Sequence, residues 1–353
     1  MVSEGDTVGD FHAKCEIFRY RGRILPDNRR FREDDFVTGE QAPKPLIYFD
    51  RGGSWPFHLS VQAVPDGGVV LVLDQGSGVL HKALNTSETG RCDTLRLTYS
   101  WDSMKRAGML SAERPDQAHV VQVPVLNPGP LRLRDLHALL GDGPNRYLAP
   151  EVSYVAASTR IEPVGPMPTL TLDTPVATPG GYRPAGDLAR GDLVLTSTGE
   201  SVPVLHRLTR QVPARGLFRP LQLRAPYFGL QQDIIVAPTQ RLVLDGSDVE
   251  YMFGSEAVLI EVRHLLGSMS VTAADRGPIV TYTQLLLPHH EGVVAAGTVA
   301  ETLFIGRLRR RRGALASSIL AGLDRHRLPE HGKSLFPVLN SFDAVTLANA
   351  RAA

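Results

Sequence analysis

Apolar and polar residues alternate with period two through much of the first half of the chain. FHLSVQAV, from Phe57 to Val64, alternates up to a turn at Pro65-Asp66-Gly67-Gly68, and Val69 to Leu73 is then continuously apolar up to Gly76-Ser77-Gly78. The run LRLTYSW places Leu95, Leu97, Tyr99 and Trp101 on one face and Arg96, Thr98 and Ser100 on the other. Residues 108–113 and 119–123 extend the series, and 152–161 adds one more strand. Successive side chains of an extended strand point to opposite faces, so such runs predict strands. Several of them at short spacing, without helices between, predict an antiparallel β sandwich. One stretch breaks the rule: Leu133, Leu136, Leu139 and Leu140 recur at helical spacing, and Gly141 supplies the stop.

Three prolines, Pro163, Pro166 and Pro168, then fall within seven residues. Proline holds its neighbours extended, so a domain boundary is placed here, between a first domain at 1–162 and a second at 167–347. The second opens with TLDTPVATPGGYRPAGDLARGDLVLTSTG at 171–199. There Pro175-Val176-Ala177 runs into a turn at Pro179-Gly180-Gly181, and Leu193 to Thr196 forms a second β-prone run closed by Ser197-Thr198-Gly199. Glycine supplies positive φ and proline fixes its own, which gives turn residues a mechanism. The whole pattern predicts an all-β protein of two domains.

Composition narrows the function classes. The 353 residues carry 38 Lys+Arg against 37 Asp+Glu, a formal charge of +1, so no global field points to nucleic acid or an anionic membrane. No apolar run approaches the ~18 residues that span a bilayer. The start, MVSEGDTVGDFHAKCEIF, lacks a basic segment followed by an apolar one; a cytoplasmic location is expected, with leaderless export left open. Cys15 and Cys92 are the two cysteines; they are read as unpaired thiols, although a disulfide between them is open, and they cannot make a CxxC metal site. No HExxH, GxSxG, EF-hand or phosphate-loop pattern occurs, so no cofactor and no metal are expected. Arg29, Arg30 and Arg32 beside Asp34 and Asp35, and the basic run Arg309 to Arg312 before a short helix, read as solvated charge clusters.

The order strand, glycine-rich turn, Leu188, Gly191-Asp192, strand resembles the opening of the Hint (Hedgehog/intein) module, known from bacterial proteins among others. The rest of the second domain keeps step. Asp233 to Leu244 (DIIVAPTQRLVL) is similar to that family's DLLVSPxHRxLV, Glu261 to Leu266 to its PARHLV element, and Val280 to Glu291 to VxYxHLLFDRHE. Ala296-Gly297 with Ala300-Glu301-Thr302-Leu303 resembles AxGxxAESL, and residues 336–344 resemble the family's tail. The first domain shows a fainter likeness to concanavalin and laminin G-like sandwiches, which implies a binding module and, through the lectins of that fold, glycan as one partner class; an unidentified protein is the other.

The Hint resemblance implies self-cleavage chemistry: a Cys or Ser attacks the preceding carbonyl, and a Thr/Ser-x-x-His element protonates the leaving amide. In this chain the first position falls on Thr169, a weaker nucleophile than Cys. The donor element reads Ala237-Pro238-Thr239-Gln240, so a methyl stands for the hydroxyl and an amide for the imidazole. Gln284 stands where many members carry His. His264 and His290 are the remaining imidazoles, read as hydrogen-bonded structural residues rather than surviving catalysts. Thr169, Gln240, His264 and His290 are therefore candidates for a relic site, and no catalytic residue is assigned. The expected function is a degenerate autoprocessing module acting as a scaffold beside a binding sandwich. Two alternatives are slow autoproteolysis at Pro168-Thr169 by an N-to-O acyl shift, and glycan binding by the sandwich.

Overall fold

Short β-prone runs interrupted by glycine and proline give strands of two to ten residues and few helices. The computed structural model describes residues 7–8, 12–20, 43–64, 68–76, 78–85, 93–115 and 119–352. The predicted turn at 65–67, the alternating charges at 29–35 and the pairing of Cys15 with Cys92 lie outside the described residues or side chains. No helix among the described residues is long and apolar enough to cross a membrane. The chain divides into two units, 1–165 and 166–353.

The first unit holds two five-stranded antiparallel sheets. One orders Arg146–Leu148, Lys44–Arg51, Phe57–Val64, Gly68–Gln75 and Gly78–Asn85; the other orders Tyr154–Ser158, His12–Tyr20, Asp93–Asp102, Ala107–Arg114 and His119–Leu126. One apolar cluster joins them, with Phe49, Phe57 and Leu71 from the first sheet and Leu97, Tyr99, Trp101 and Leu110 from the second. Trp101 is 1 % exposed and stacks on Tyr99 at 5.2 Å between ring centroids. The alternating face of LRLTYSW is thus the core face of a β sandwich. Its polar face is enclosed as well: Arg96 and Thr98 are buried, and Arg96 forks onto the buried Glu113 carboxylate, which also accepts from the Gly165 amide at 2.7 Å. A buried charge is tolerated only when paired in this way.

The helix Leu133–Leu140 packs Leu136 and Leu139 on the same cluster, while Leu140 turns out to solvent. Gly141 ends it by donating to the His137 carbonyl at 2.8 Å, in an extended rather than left-handed conformation. The buried Asp135 is neutralised by Arg51, whose guanidinium spans both carboxylate oxygens.

In the second unit, one six-stranded sheet orders His206–Pro213, Ile279–Leu286, Leu170–Thr171, Ile234–Val236, Leu221–Leu223 and Val271–Ala273. The other orders Gly181–Pro184, Pro175–Thr178, Gly292–Ala295, Thr298–Glu301, Arg241–Asp245 and Ala257–Glu261. The Leu188/Gly191-Asp192 motif has a local cause. Leu188 and Val194 are buried beside Val176 and Val293; Gly191 takes φ +92°, open to glycine alone without strain. Asp192 closes the loop by accepting from the Ala189 amide at 2.8 Å and from Arg183 at 3.0 Å. That amide, with Arg183, holds the Asp192 carboxyl below its ordinary range.

Candidate functional site

Sheet register brings three distant segments to one point. The two-residue strand Leu170–Thr171 is held on both sides, Leu170 lying opposite Val236 on one neighbour and opposite Thr283 on the other. Thr169, one residue earlier, therefore faces Ala237 at the end of the Ile234–Val236 strand and Gln284 within Ile279–Leu286. The Ala237 amide donates to the Thr169 carbonyl at 2.7 Å, and the Gln240 amide donates back to the Ala237 carbonyl at 3.0 Å, closing residues 237–240 into a turn. That turn points the Gln240 side chain at Thr169.

The three side chains form a closed hydrogen-bond set. The Thr169 hydroxyl donates to Gln240 Oε1 at 2.6 Å and accepts from Gln284 Nε2 at 2.9 Å. Gln284 Nε2 also reaches Gln240 Oε1 at 3.2 Å and the Glu301 carbonyl at 3.0 Å. Gln240 Nε2 donates to the carbonyls of Arg241 at 2.6 Å and Glu301 at 3.2 Å. Thr169 is 7 % exposed, Gln240 1 % and Gln284 3 %. A carboxamide has no basic lone pair near neutral pH, so nothing that touches the hydroxyl can take its proton. Ala237 is fully enclosed, and its methyl side chain can neither donate nor accept a hydrogen bond.

Thr169 and Gln240 thus meet, whereas the two histidines lie apart from them. His264 sits on the 3₁₀ segment Val262–Leu265, which is tied to the same turn by Val262 and Arg263 amides donating to Gln240 and Pro238. Its ring has no hydrogen-bond partner among the described residues, and burial, with Arg263 beside it, lowers its pKa. His290 accepts from the Leu335 amide through Nδ1 at 2.9 Å. Its Nε2 lies 3.1 Å from Glu301 Oε1, off the line of a well-formed hydrogen bond.

The contacts that charged neighbours make around the site are not signalled by the sequence pattern. Arg241 bridges the buried carboxylates of Glu261 and Glu301, and Glu261 also holds Arg263 at 2.7 Å. Burial alone would lower the Arg241 pKa, but the two carboxylates keep it above the ordinary value. His331 stacks against His290 with centroids 5.7 Å apart, accepts from the Ile305 amide at 3.3 Å and lies 3.2 Å from the Leu287 carbonyl. Burial pushes its pKa down to about 4, so the ring is neutral and donates to that carbonyl. Arg241 and Glu301 do stand inside motif-like blocks; His331 carries no sequence signal.

Elsewhere, Arg309 and Arg310 of the basic run are bound by Glu330. The helix after them spans Arg312–Ala316 only. Among the described residues no three His, Cys, Asp or Glu side chains are grouped so as to hold a metal ion.

Residues 168–307 match the family model described as the Hint domain. Among solved structures, the gp41-1 intein is similar at 15 % identity and a TM-score of 0.26, over 38 % of this chain and 97 % of that one. The bacterial intein-like domain from Clostridium thermocellum is similar at 15 % identity and a TM-score of 0.29, over 38 % of this chain and 99 % of that one. The LG1-3 region of the laminin alpha2 chain aligns at 11 % identity and a TM-score of 0.26, over 85 % of this chain and 54 % of that one. No curated protein matches the chain.

Proposed function

Residues 168–307 form a Hint domain, and from that premise we propose that its self-cleaving chemistry is lost and that the domain serves as a scaffold joined to a β-sandwich binding module. The observation that carries this reading is the buried set Thr169–Gln240–Gln284. An N-to-O shift needs the hydroxyl deprotonated as it attacks and the leaving nitrogen protonated. Here the hydroxyl's one hydrogen is engaged by an amide oxygen, and no imidazole or carboxylate is bonded to it. The domain then works through its surface, in a protein we take to be cytoplasmic, and its partner is a protein or a glycan rather than nucleic acid.

Intact mass after prolonged incubation tests the loss of cleavage. The expected result is a single species near 38.5 kDa, with or without hydroxylamine. Fragments 1–168 and 169–353 that disappear in Thr169→Ala would instead establish slow autoproteolysis. That alternative draws on one feature: Thr169 follows Pro168 at the very start of the matched domain, where the family's nucleophile belongs.

Glycan binding, the other alternative, cannot use Trp101, which is enclosed on the core face of its strand. Among the described residues of the sandwich, the exposed aromatics are Tyr48 and Tyr147, directly opposite each other on neighbouring strands and 41 % and 42 % exposed. Their fluorescence, titrated with oligosaccharides, reports on it; an unchanged signal in both wild type and Tyr48→Ala removes the reading.

A further inference from the structure

The segment that follows the Hint match carries four arginines in a row, Arg309 to Arg312, and two more at Arg325 and Arg327. Its fold draws part of this charge into one place. Arg309, Arg310, Arg325, His326 and Glu330 line a cleft of about 300 Å³. Glu330 already shows what the cleft recognises. Its carboxylate takes Arg309 Nε at 2.5 Å, Arg310 Nε at 2.8 Å and Arg310 Nη2 at 2.5 Å, and the two guanidiniums hold its pKa down to about 2. Arg309 is further fixed through Nη1 to the Leu328 carbonyl at 3.0 Å. The side chain of Arg325 has no partner among the described residues, and neither has that of His326. Three guanidiniums against one carboxylate leave two positive charges uncancelled around the cleft.

We propose that this cleft binds a phosphate monoester group. Such a group carries about −1.5 to −2 charges at neutral pH and three acceptor oxygens, which matches the uncancelled charge where a single carboxylate would not. Planar guanidinium forks bind phosphate oxygens in pairs, and the cleft lining combines the unpartnered Arg325 with the braced pair Arg309–Arg310. The volume suits a small headgroup rather than an extended chain. His326 is the single ring lining the cleft, which leaves no platform for stacking a run of nucleic-acid bases. The site lies beyond residue 307, outside the domain match, so the loss of cleavage chemistry leaves it untouched. The phosphate group can belong to a soluble metabolite or to a lipid headgroup.

Calorimetric titration of the full chain with inorganic phosphate at moderate salt tests the proposal, with acetate as the monoanionic control. Saturable binding is expected, at least tenfold tighter for phosphate than for acetate, and at least tenfold weaker in Arg325→Gln. That variant removes no hydrogen bond, so its melting temperature should match wild type. Glu330→Gln, which frees the braced pair of its internal competitor, should bind phosphate several-fold more tightly. Co-sedimentation with phosphatidylcholine vesicles, with and without phosphatidic acid, then assigns the source: Arg325-dependent retention on the acidic vesicles marks a lipid headgroup, and its absence beside phosphate binding marks a soluble ligand. No saturable phosphate binding, equal affinity for acetate, or wild-type affinity in Arg325→Gln would overturn the proposal.

Discussion

Gln284 places one amide nitrogen within hydrogen-bonding distance of three oxygens in a space closed to solvent. Gln284→Leu keeps nearly the same volume but leaves the Thr169 oxygen without a donor, whereas the Gln240 amide oxygen keeps the Thr169 hydroxyl and the Glu301 carbonyl keeps Gln240 Nε2. A buried polar atom so abandoned costs about 1–3 kcal/mol. Chemical denaturation should therefore show a loss of about 2 kcal/mol in the second unit, while Gln284→Glu, which also removes the donor, should do no better. The same cluster sets the terms for restoring cleavage. Groups that act as one apparatus lose most of their rate when any member is missing. Thr169→Cys alone should stay inert to hydroxylamine, because Gln240 cannot protonate the leaving nitrogen. Thr169→Cys with Ala237→Thr and Gln240→His should yield a hydroxylamine-sensitive thioester between residues 168 and 169, read as two masses; an inert triple variant would show that the geometry has drifted as well as the chemistry. That Thr169 and Gln240 belong together was legible in the sequence, because the Hint resemblance aligns them with a nucleophile and a donor position, and their side chains do meet. His290 is a sequence candidate as well, but the pairing of Glu301 with Arg241 and with His290 was not legible, since partners 60 and 11 residues apart in the chain meet only through the fold.

Strands were legible in runs of clear apolar alternation such as Phe57–Val64, whereas His206–Pro213, whose buried face includes Arg210 beside Leu208 and Val212, was not read as a strand. Period-two alternation says which residues share a face, and cannot say that the second face is covered too. Arg96 and Glu113 look like surface residues in sequence and are a buried pair in the fold. The helix at Leu133–Leu140 was legible from leucine spacing, but the buried Asp135 on it makes sense only once Arg51 is seen to reach it. Two elements yield direct predictions. Trp101→Ala removes the largest fully buried ring, stacked on Tyr99, and should cost about 3–5 kcal/mol in the first unit by thermal or denaturant unfolding. The hairpin joining Gly292–Ala295 to Thr298–Glu301 turns at Ala296 and Gly297 with φ +49° and +97°, and a Cβ on Gly297 would stand 2.5 Å from the Gly229 carbonyl oxygen. Both the left-handed backbone and the clash oppose a side chain, so Gly297→Ala should destabilise by about 2 kcal/mol or more. A melting temperature equal to wild type would mean that the Gly229 loop gives way freely.

At the scale of the molecule, the proline-rich joint falls where the chain divides into two units, and the apolar clusters divide there too. The sandwich cluster draws on residues 46–152, and the other three clusters draw on residues 170–347. Separate cores predict separate unfolding transitions, and each unit carries a residue that moves only its own. In the first unit that residue is Trp101. In the second it is His331, whose folded pKa of about 4 lies below the ordinary value because burial disfavours the imidazolium. Between pH 6.5 and 4 the unfolded chain takes up a proton that the folded unit refuses. Stability from this group is therefore complete above pH 6.5 and falls as pH drops toward 4, by on the order of 3 kcal/mol. Scanning calorimetry at pH 7 and pH 5 should show two transitions. Trp101→Ala lowers the sandwich transition at both pH values and leaves the other in place. Acidification lowers the second transition in wild type. His331→Asn lowers it already at pH 7, through lost hydrogen bonds to Ile305 and Leu287, and shifts it less on going to pH 5, so the gap between the two proteins narrows in acid. A single transition displaced as a whole by Trp101→Ala would mean that the two cores unfold as one unit.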